Sequence, residues 1–369
     1  VVAEIRDRLG RLGLLVPRPG APSDQFDDDV DRAVRAFQQE RGLTVDGIVG
    51  PQTFRRLEEA RWALGDRVLS YLPRRLMIGD DVAALQSRLS GLGFDLGRVD
   101  GVFGVATDAA LREFQRSVGV DPDGTCGPDT FRALARLGRA MSGGGVAADL
   151  RELALLESLC SGVADKVVVL DPGHGGLDPG ADTGTGTGTG GPDGLSEAAV
   201  VGDLAARVEG RLAAIGVQVL LTRSPGTESA PDEAERALFA NETGADLVVS
   251  LHLGSAGSPA PAGCATFFYG DPLGATASAL GRRLADMVQD EIIVRTDLAD
   301  CRTHPKTWDL LRLTRMPAVR VECGYLSSPR DARRLADPAF RDALAEGISA
   351  AVVRFFAPVP LDGELTAPV

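Results

Sequence analysis

An internal repeat in the first 140 residues most restricts what this chain can fold into. Phe37-Gln38, Gly42, Asp46-Gly47, Gly50-Pro51 and Thr53-Phe54 recur 77 residues later as Phe114-Gln115, Gly119, Asp123-Gly124, Gly127-Pro128 and Thr130-Phe131. Upstream, Leu9 and Leu12-Gly13 recur at Leu89 and Leu92-Gly93, an offset of 80, so the first copy carries three extra residues in between. A period of this size calls for two small similar modules, not one large core. Each copy predicts three short helices. Val82, Leu85, Leu89 and Leu92 keep helical spacing, and Asp-Gly followed by Gly-Pro turns the chain into the third helix.

The remaining residues follow a different rule. After a flexible start at Ser142-Gly143-Gly144-Gly145 and a short amphipathic stretch from Leu150 to Leu159, apolar runs alternate with helical patterns from Lys166 onward. Strands are expected at Val167–Leu170, Val217–Thr222, Leu247–Leu251, Ala265–Tyr269 and Ala318–Val321. Helices are expected at Ser196–Ile215, Asp232–Thr243, Ala275–Gln289 and Asp337–Phe356. This alternation predicts an α/β domain with a mostly parallel sheet flanked by helices, behind two small three-helix domains. The expected spans are 1–62 and 74–140 for the repeats, 141–164 for a linker, 165–358 for the α/β domain and 359–369 for a tail. The Thr-Gly tract Thr183–Gly191 reads as a loop of low complexity.

Charge and composition narrow the partners. A net charge of −13 argues against nucleic acid and against a polybasic membrane anchor. No apolar run approaches the ~18 residues of a membrane span. No export signal is visible, and the chain opens at Val1 already inside a helical pattern, so localisation stays open between the cell wall and the cytoplasm. The five cysteines are odd in number and show no CxxC spacing, which predicts neither a disulfide framework nor a thiolate zinc site.

Chemistry concentrates in the α/β half. His174 sits in Asp171-Pro172-Gly173-His174-Gly175-Gly176, directly after the apolar run Val167–Leu170. A strand that ends in such a turn presents an imidazole at the sheet edge. Glu197 opens a predicted helix, His252 follows Ser250-Leu251, and Glu322 ends an apolar strand. Active-site groups of α/β sheets gather at the carboxyl ends of strands. Two neutral imidazoles and one carboxylate form a catalytic zinc set with one position open to water, and a second carboxylate, not a ligand, would handle protons.

Two resemblances sharpen this reading. Leu85-Gln86, Leu92-Gly93-Phe94, Asp100-Gly101-Val102-Phe103-Gly104, Phe114-Gln115 and Asp123-Gly124 to Thr130 resemble the peptidoglycan-binding-type-1 domain; the first copy has Gln25-Phe26-Asp27-Asp28-Asp29 in place of the third motif. From about Lys166 to Phe356 the chain resembles the zinc-dependent N-acetylmuramoyl-L-alanine amidases of the amidase 3 type. The resemblance rests on Asp171–Gly176 with Asp178-Pro179-Gly180-Ala181, Ser196-Glu197, Ser250-Leu251-His252, and Pro317-Ala318 through Glu322-Cys323-Gly324-Tyr325, with support from Leu221-Thr222-Arg223 and Arg236 to Asn241. It implies zinc held by His174, Glu197 and His252, Glu322 as the catalytic acid–base, and cleavage of the amide between the muramic-acid lactyl group and the first alanine of the peptidoglycan stem.

The chain departs from the family pattern at three places: Gly254 and Ser328 stand where Asn is usual, and Ala198 where Lys is frequent. His304 reads as a surface histidine or a substrate group, and Arg312 as a substrate-carboxylate ligand or a structural ion pair. The stretches Asp300–His304 and Trp308–Pro317 resemble an actinobacterial amidase-like subgroup, some of whose members regulate wall-precursor synthesis inside the cell with damaged zinc sites. That resemblance supplies the alternative function: a non-catalytic regulator with a protein partner. Here all the expected ligands are present.

Overall fold

The computed structural model describes residues 1–16, 24–137, 156, 159–181, 195–224, 230–270 and 277–358. The Thr183–Gly191 tract, most of the 141–164 linker and the 359–369 tail lie outside these residues. The chain divides into two compact units; of the described residues, 1–137 fall in the first and those from 156 onward in the second.

The first unit holds α1 (Val2–Arg11), α2 (Asp28–Glu40), α3 (Pro51–Glu59), β1 (Leu69–Ser70), α4 (Asp80–Gly91), α5 (Val105–Val118), β2 (Thr125–Cys126) and α6 (Pro128–Leu137). Each repeat therefore has three helices, and β1 pairs antiparallel with β2. The second repeat closes around Leu69, Val82, Leu85, Leu89, Phe103, Leu111, Phe114 and Leu134.

The repeated polar residues serve this packing. Gln38 is buried and donates to Asp46 (2.7 Å) and Thr53 (3.2 Å), while its carbonyl accepts from the Gly47 amide (2.9 Å). Gln115 does the same with Asp123 (2.8 Å), Thr130 (3.0 Å) and the Gly124 amide (2.9 Å). Gln86 repeats it a third time with Asp100 (2.8 Å), Thr107 (3.0 Å) and the Gly101 amide (2.8 Å). A buried glutamine needs partners for all its polar atoms, and an Asp-Gly turn followed by a helix-opening threonine supplies them. In the first repeat Arg6 stands 80 residues before Gln86 and instead reaches the Gln25 carbonyl (3.0 Å) and Asp27 (3.1 Å). The substituted stretch thus has its own fastening.

The second unit is a six-stranded mixed sheet with strand order β4-β3-β5-β8-β6-β7, made of β3 (Val167–Pro172), β4 (Gln218–Leu221), β5 (Leu247–Gly254), β6 (Cys264–Tyr269), β7 (Asp300–Lys306) and β8 (Ala318–Tyr325). Neighbours are parallel except β6 and β8, which are antiparallel. The expected mostly parallel sheet is present, with one strand more than the alternation predicts. The extra strand, β7, reads Asp-Cys-Arg-Thr-His-Pro-Lys and has no apolar pattern. It lies at the edge, the place in a sheet where proline is tolerated.

Side chains alternate between the faces of the sheet. On one face Val168, Leu170, Val249, Leu251, Val319 and Val321 pack against α7 (Glu197–Ala213), α9 (Ala279–Arg295) and α12 (Pro338–Phe356) in the main core. The helix expected to end at Gln289 runs on to Arg295, because Ile292 continues the buried stripe of Leu284, Ala285 and Val288. The other face carries Asp171, Ser250, His252, Arg320 and Glu322. It lies on the side of two shorter helices, α8 (Glu233–Glu242) and α10 (Asp309–Leu313). A last helix, α11 (Pro329–Ala336), follows β8. Among the described residues no helix is long and apolar enough to cross a membrane, and all five cysteines are free.

Candidate metal centre and acid–base site

The structure brings His174, Glu197 and His252 together: one ligand atom from each lies within 4.8 Å of the others. His174 follows β3 in a left-handed conformation (φ 57°), uncommon for a residue with a side chain. Such strain persists only where the surroundings enforce it, and here they do. Arg223 donates to the carbonyls of Pro172 (2.9 Å) and Gly173 (3.1 Å), and Arg236 to those of Pro172 (2.9 Å) and His174 (2.9 Å). Beneath the turn, buried Asp171 accepts from Arg236 (2.6 Å), Thr222 (2.5 Å) and Ser250 (2.6 Å). These contacts account for the Leu-Thr-Arg and Arg236 motifs around the ligand turn.

The glycines of the motif clear the space for the two rings. A side-chain carbon on Gly173 would sit 2.2 Å from the His252 ring, and one on Gly180 would sit 2.7 Å from both His174 and the Glu197 carboxylate. Either would drive the cluster apart.

Glu197 is 3 % exposed and opens α7, where the helix dipole favours negative charge. Its Oε1 accepts from the Leu253 amide (2.9 Å) and its Oε2 from the Ala181 amide (3.0 Å). His252 Nδ1 lies 2.9 Å from Oε1, and His174 Nε2 lies 3.3 Å from Oε2. Burial alone would raise the carboxyl's pKa, but its contacts with the two imidazoles outweigh burial and hold it well below the usual carboxylate range. His174 turns its other nitrogen, Nδ1, to Asp178 (2.7 Å), which fixes the ring with Nε2 facing the cluster. An ionised carboxylate and two imidazole nitrogens facing one point suit a divalent metal of borderline softness.

Glu322 lies on β8 directly opposite His252 on β5. It is 8 % exposed. Its Oε1 accepts from Arg320 Nη2 (2.9 Å) and Nε (3.2 Å), while its Oε2 is buried without a hydrogen-bond partner among the described residues. Arg320 also reaches Glu233 (3.2 Å) and lies 4.3 Å from the centre of the Trp308 ring. The sequence reading passed over Arg320. The available signal was spacing: two residues before Glu322 on a strand means the same face.

The remaining readings resolve locally. Arg312 is 4 % exposed and pairs with Asp309 at 3.1 Å, which is the structural ion pair. His304 is exposed on β7, and its Nε2 contacts the Cys301 carbonyl at 2.7 Å. Gly254 is required by Tyr325, whose ring would lie 2.6 Å from a side-chain carbon there. Ser328 caps α11, a task serine and asparagine perform about equally. At Ala198 the backbone is used, its carbonyl accepting from Arg223 at 2.9 Å.

Fold and site together define an enzyme-like α/β domain in which a His/Glu/His cluster able to hold a metal ion lies beside a buried carboxylate at the strand ends. The chain belongs to the N-acetylmuramoyl-L-alanine amidase family, whose sequence profile matches residues 168–354; the peptidoglycan-binding-domain profile matches 1–57 and 78–134. It is similar to the N-acetylmuramoyl-L-alanine amidase CwlM of Mycobacterium tuberculosis, 47% identical over 96% of this chain and 87% of that one. It is 30% identical to the germination-specific N-acetylmuramoyl-L-alanine amidase of Bacillus subtilis, over 53% of this chain and 81% of that one. Among solved structures, the amidase Ami1 of Mycobacterium smegmatis is similar at 28% identity and a TM-score of 0.46, covering 53% of this chain and 99% of that one.

Proposed function

We propose that this chain is a zinc-dependent hydrolase of peptidoglycan that cleaves the amide between N-acetylmuramic acid and L-alanine. The observation that carries the reading is the cluster of His174, Glu197 and His252 with Glu322 on the next strand, its Oε2 buried without a hydrogen-bond partner among the described residues. His174 Nε2, His252 Nδ1 and a Glu197 oxygen would hold the ion. Zinc bound there supplies a Lewis acid that polarises the scissile carbonyl and lowers the pKa of water towards ~7. Glu322 takes the proton of the attacking water at Oε2 and returns it to the departing alanine nitrogen. Asp178 keeps the His174 ring oriented, and Glu197, fixed by two backbone amides, keeps the ligand set in place without reorganisation. The N-terminal repeats would hold the enzyme on wall material.

Zinc content and release of stem peptide from purified muropeptides, compared between wild type and His174→Ala, test this. One equivalent of zinc and turnover in the wild type, with turnover abolished in the variant, is expected. A wild-type protein with neither zinc nor turnover would sink the proposal and leave the non-catalytic regulator in its place.

A further inference from the structure

Arg320 has no role in the reading above, yet it makes the only hydrogen bonds to the Glu322 side chain among the described residues. We infer that Arg320 is a positioning residue for the proton-transferring carboxylate: it occupies Oε1 of Glu322 with two donors and fixes the carboxylate, leaving Oε2 without a hydrogen-bond partner among the described residues. The inference rests on the assignment of Glu322 as acid–base.

The geometry favours a fixed device over a chance surface pair. Arg320 and Glu322 stand two apart on β8, so they share the polar face that also presents His252, directly opposite Glu322. The guanidinium meets Oε1 through Nη2 at 2.9 Å and Nε at 3.2 Å. Nη1 is tied at 3.2 Å to Glu233 in the first turn of α8. Its Cζ lies over the Trp308 ring, 4.3 Å from the ring centre, and that ring in turn packs against Phe267 at 4.8 Å between centres. Phe267 is the residue opposite Arg320 on β6. The cation is thus held by a carboxylate at either end and by an aromatic face, and it cannot follow Glu322 if that side chain rotates.

The choice of arginine also matters chemically. A guanidinium stays protonated at any working pH, so it neither accepts the water's proton nor competes with Glu322 for it. Its planar fork holds one oxygen with two donors, which a lysine ammonium on a flexible stem does not reproduce.

The test uses the zinc-loaded full chain with Arg320→Met and Arg320→Lys. Turnover and the crystallographic position of Glu322 are both read. For Arg320→Met the expected results are a kcat lower by about 10²-fold, little change in KM or zinc content, and a Glu322 carboxylate displaced from its wild-type position. Arg320→Lys should recover part of kcat. Should Arg320→Met fail to fold, the lysine variant decides alone, with an intermediate kcat and a shifted Glu322 expected. Wild-type kcat together with an unmoved Glu322 in either variant would overturn the inference. A wild type that never turns over would refute the assignment of the reaction, and the position of Glu322 in the variants would still decide the positioning claim.

Discussion

The two oxygens of Glu322 stand in unlike settings: Oε1 accepts two hydrogen bonds from Arg320, and Oε2 is buried without a partner among the described residues. That asymmetry is what a proton carrier needs: a fixed carboxylate with one free basic atom. Glu322→Gln keeps the shape and removes the base. We expect it to retain zinc, because Glu322 is outside the His174, Glu197 and His252 cluster, and to lose about 10²–10⁴-fold in kcat. Metal analysis beside steady-state assays checks this, and loss of zinc in the variant would make Glu322 a ligand instead. At this scale the sequence was informative where chemistry depends on residue type within a turn. The strand-end histidine, the helix-opening glutamate and the Ser-x-His pair are all local signals, and the fold brings them to one point. Arg320 was not read, because its meaning depends on what stands opposite it on β6 and β5.

At the scale of elements, the turn after β3 is the critical piece. It carries His174 in a strained conformation, and its carbonyls are bound by Arg223 and Arg236 over a buried Asp171. Burial by itself would raise the Asp171 pKa, but Arg236, Ser250 and Thr222 together hold it below the usual range. A depressed carboxyl stabilises the fold above its unfolded pKa, about 3.9, and that contribution fades as the pH falls through this value towards the folded one. Asp171→Asn, which leaves the Arg236 charge buried, should destabilise the chain by about 3–5 kcal/mol at neutral pH. The gap between variant and wild type should narrow below about pH 4, and chemical denaturation across pH measures it. A gap independent of pH would mean that Asp171 is not ionised in the folded protein. The long amphipathic helices and apolar strands were legible because burial imposes period on sequence. β7 was not, since an edge strand is set by its neighbour β6 and needs no apolar face of its own. α10 and α11 are too short to show a helical period.

Across the whole molecule, the repeat and the α/β alternation each announced their unit, and the two units carry different kinds of information. In the first, the most distinctive residues turn out to be internal fastenings: Gln38, Gln86 and Gln115 each lock an Asp-Gly turn to a following helix. In the second, the distinctive residues converge on one polar sheet face whose opposite side is the hydrophobic core. One unit keeps its motif for folding and the other for chemistry, a difference that a motif alone does not reveal. The central claim, that the polar face hydrolyses the lactyl–alanine amide, is tested most directly by mass spectrometry of isolated sacculi or muropeptides incubated with the zinc-loaded full chain. The account predicts free stem peptides with an N-terminal alanine and glycan whose muramic acids carry unsubstituted lactyl carboxylates, both absent after chelation. Unchanged muropeptides at full zinc occupancy would contradict it.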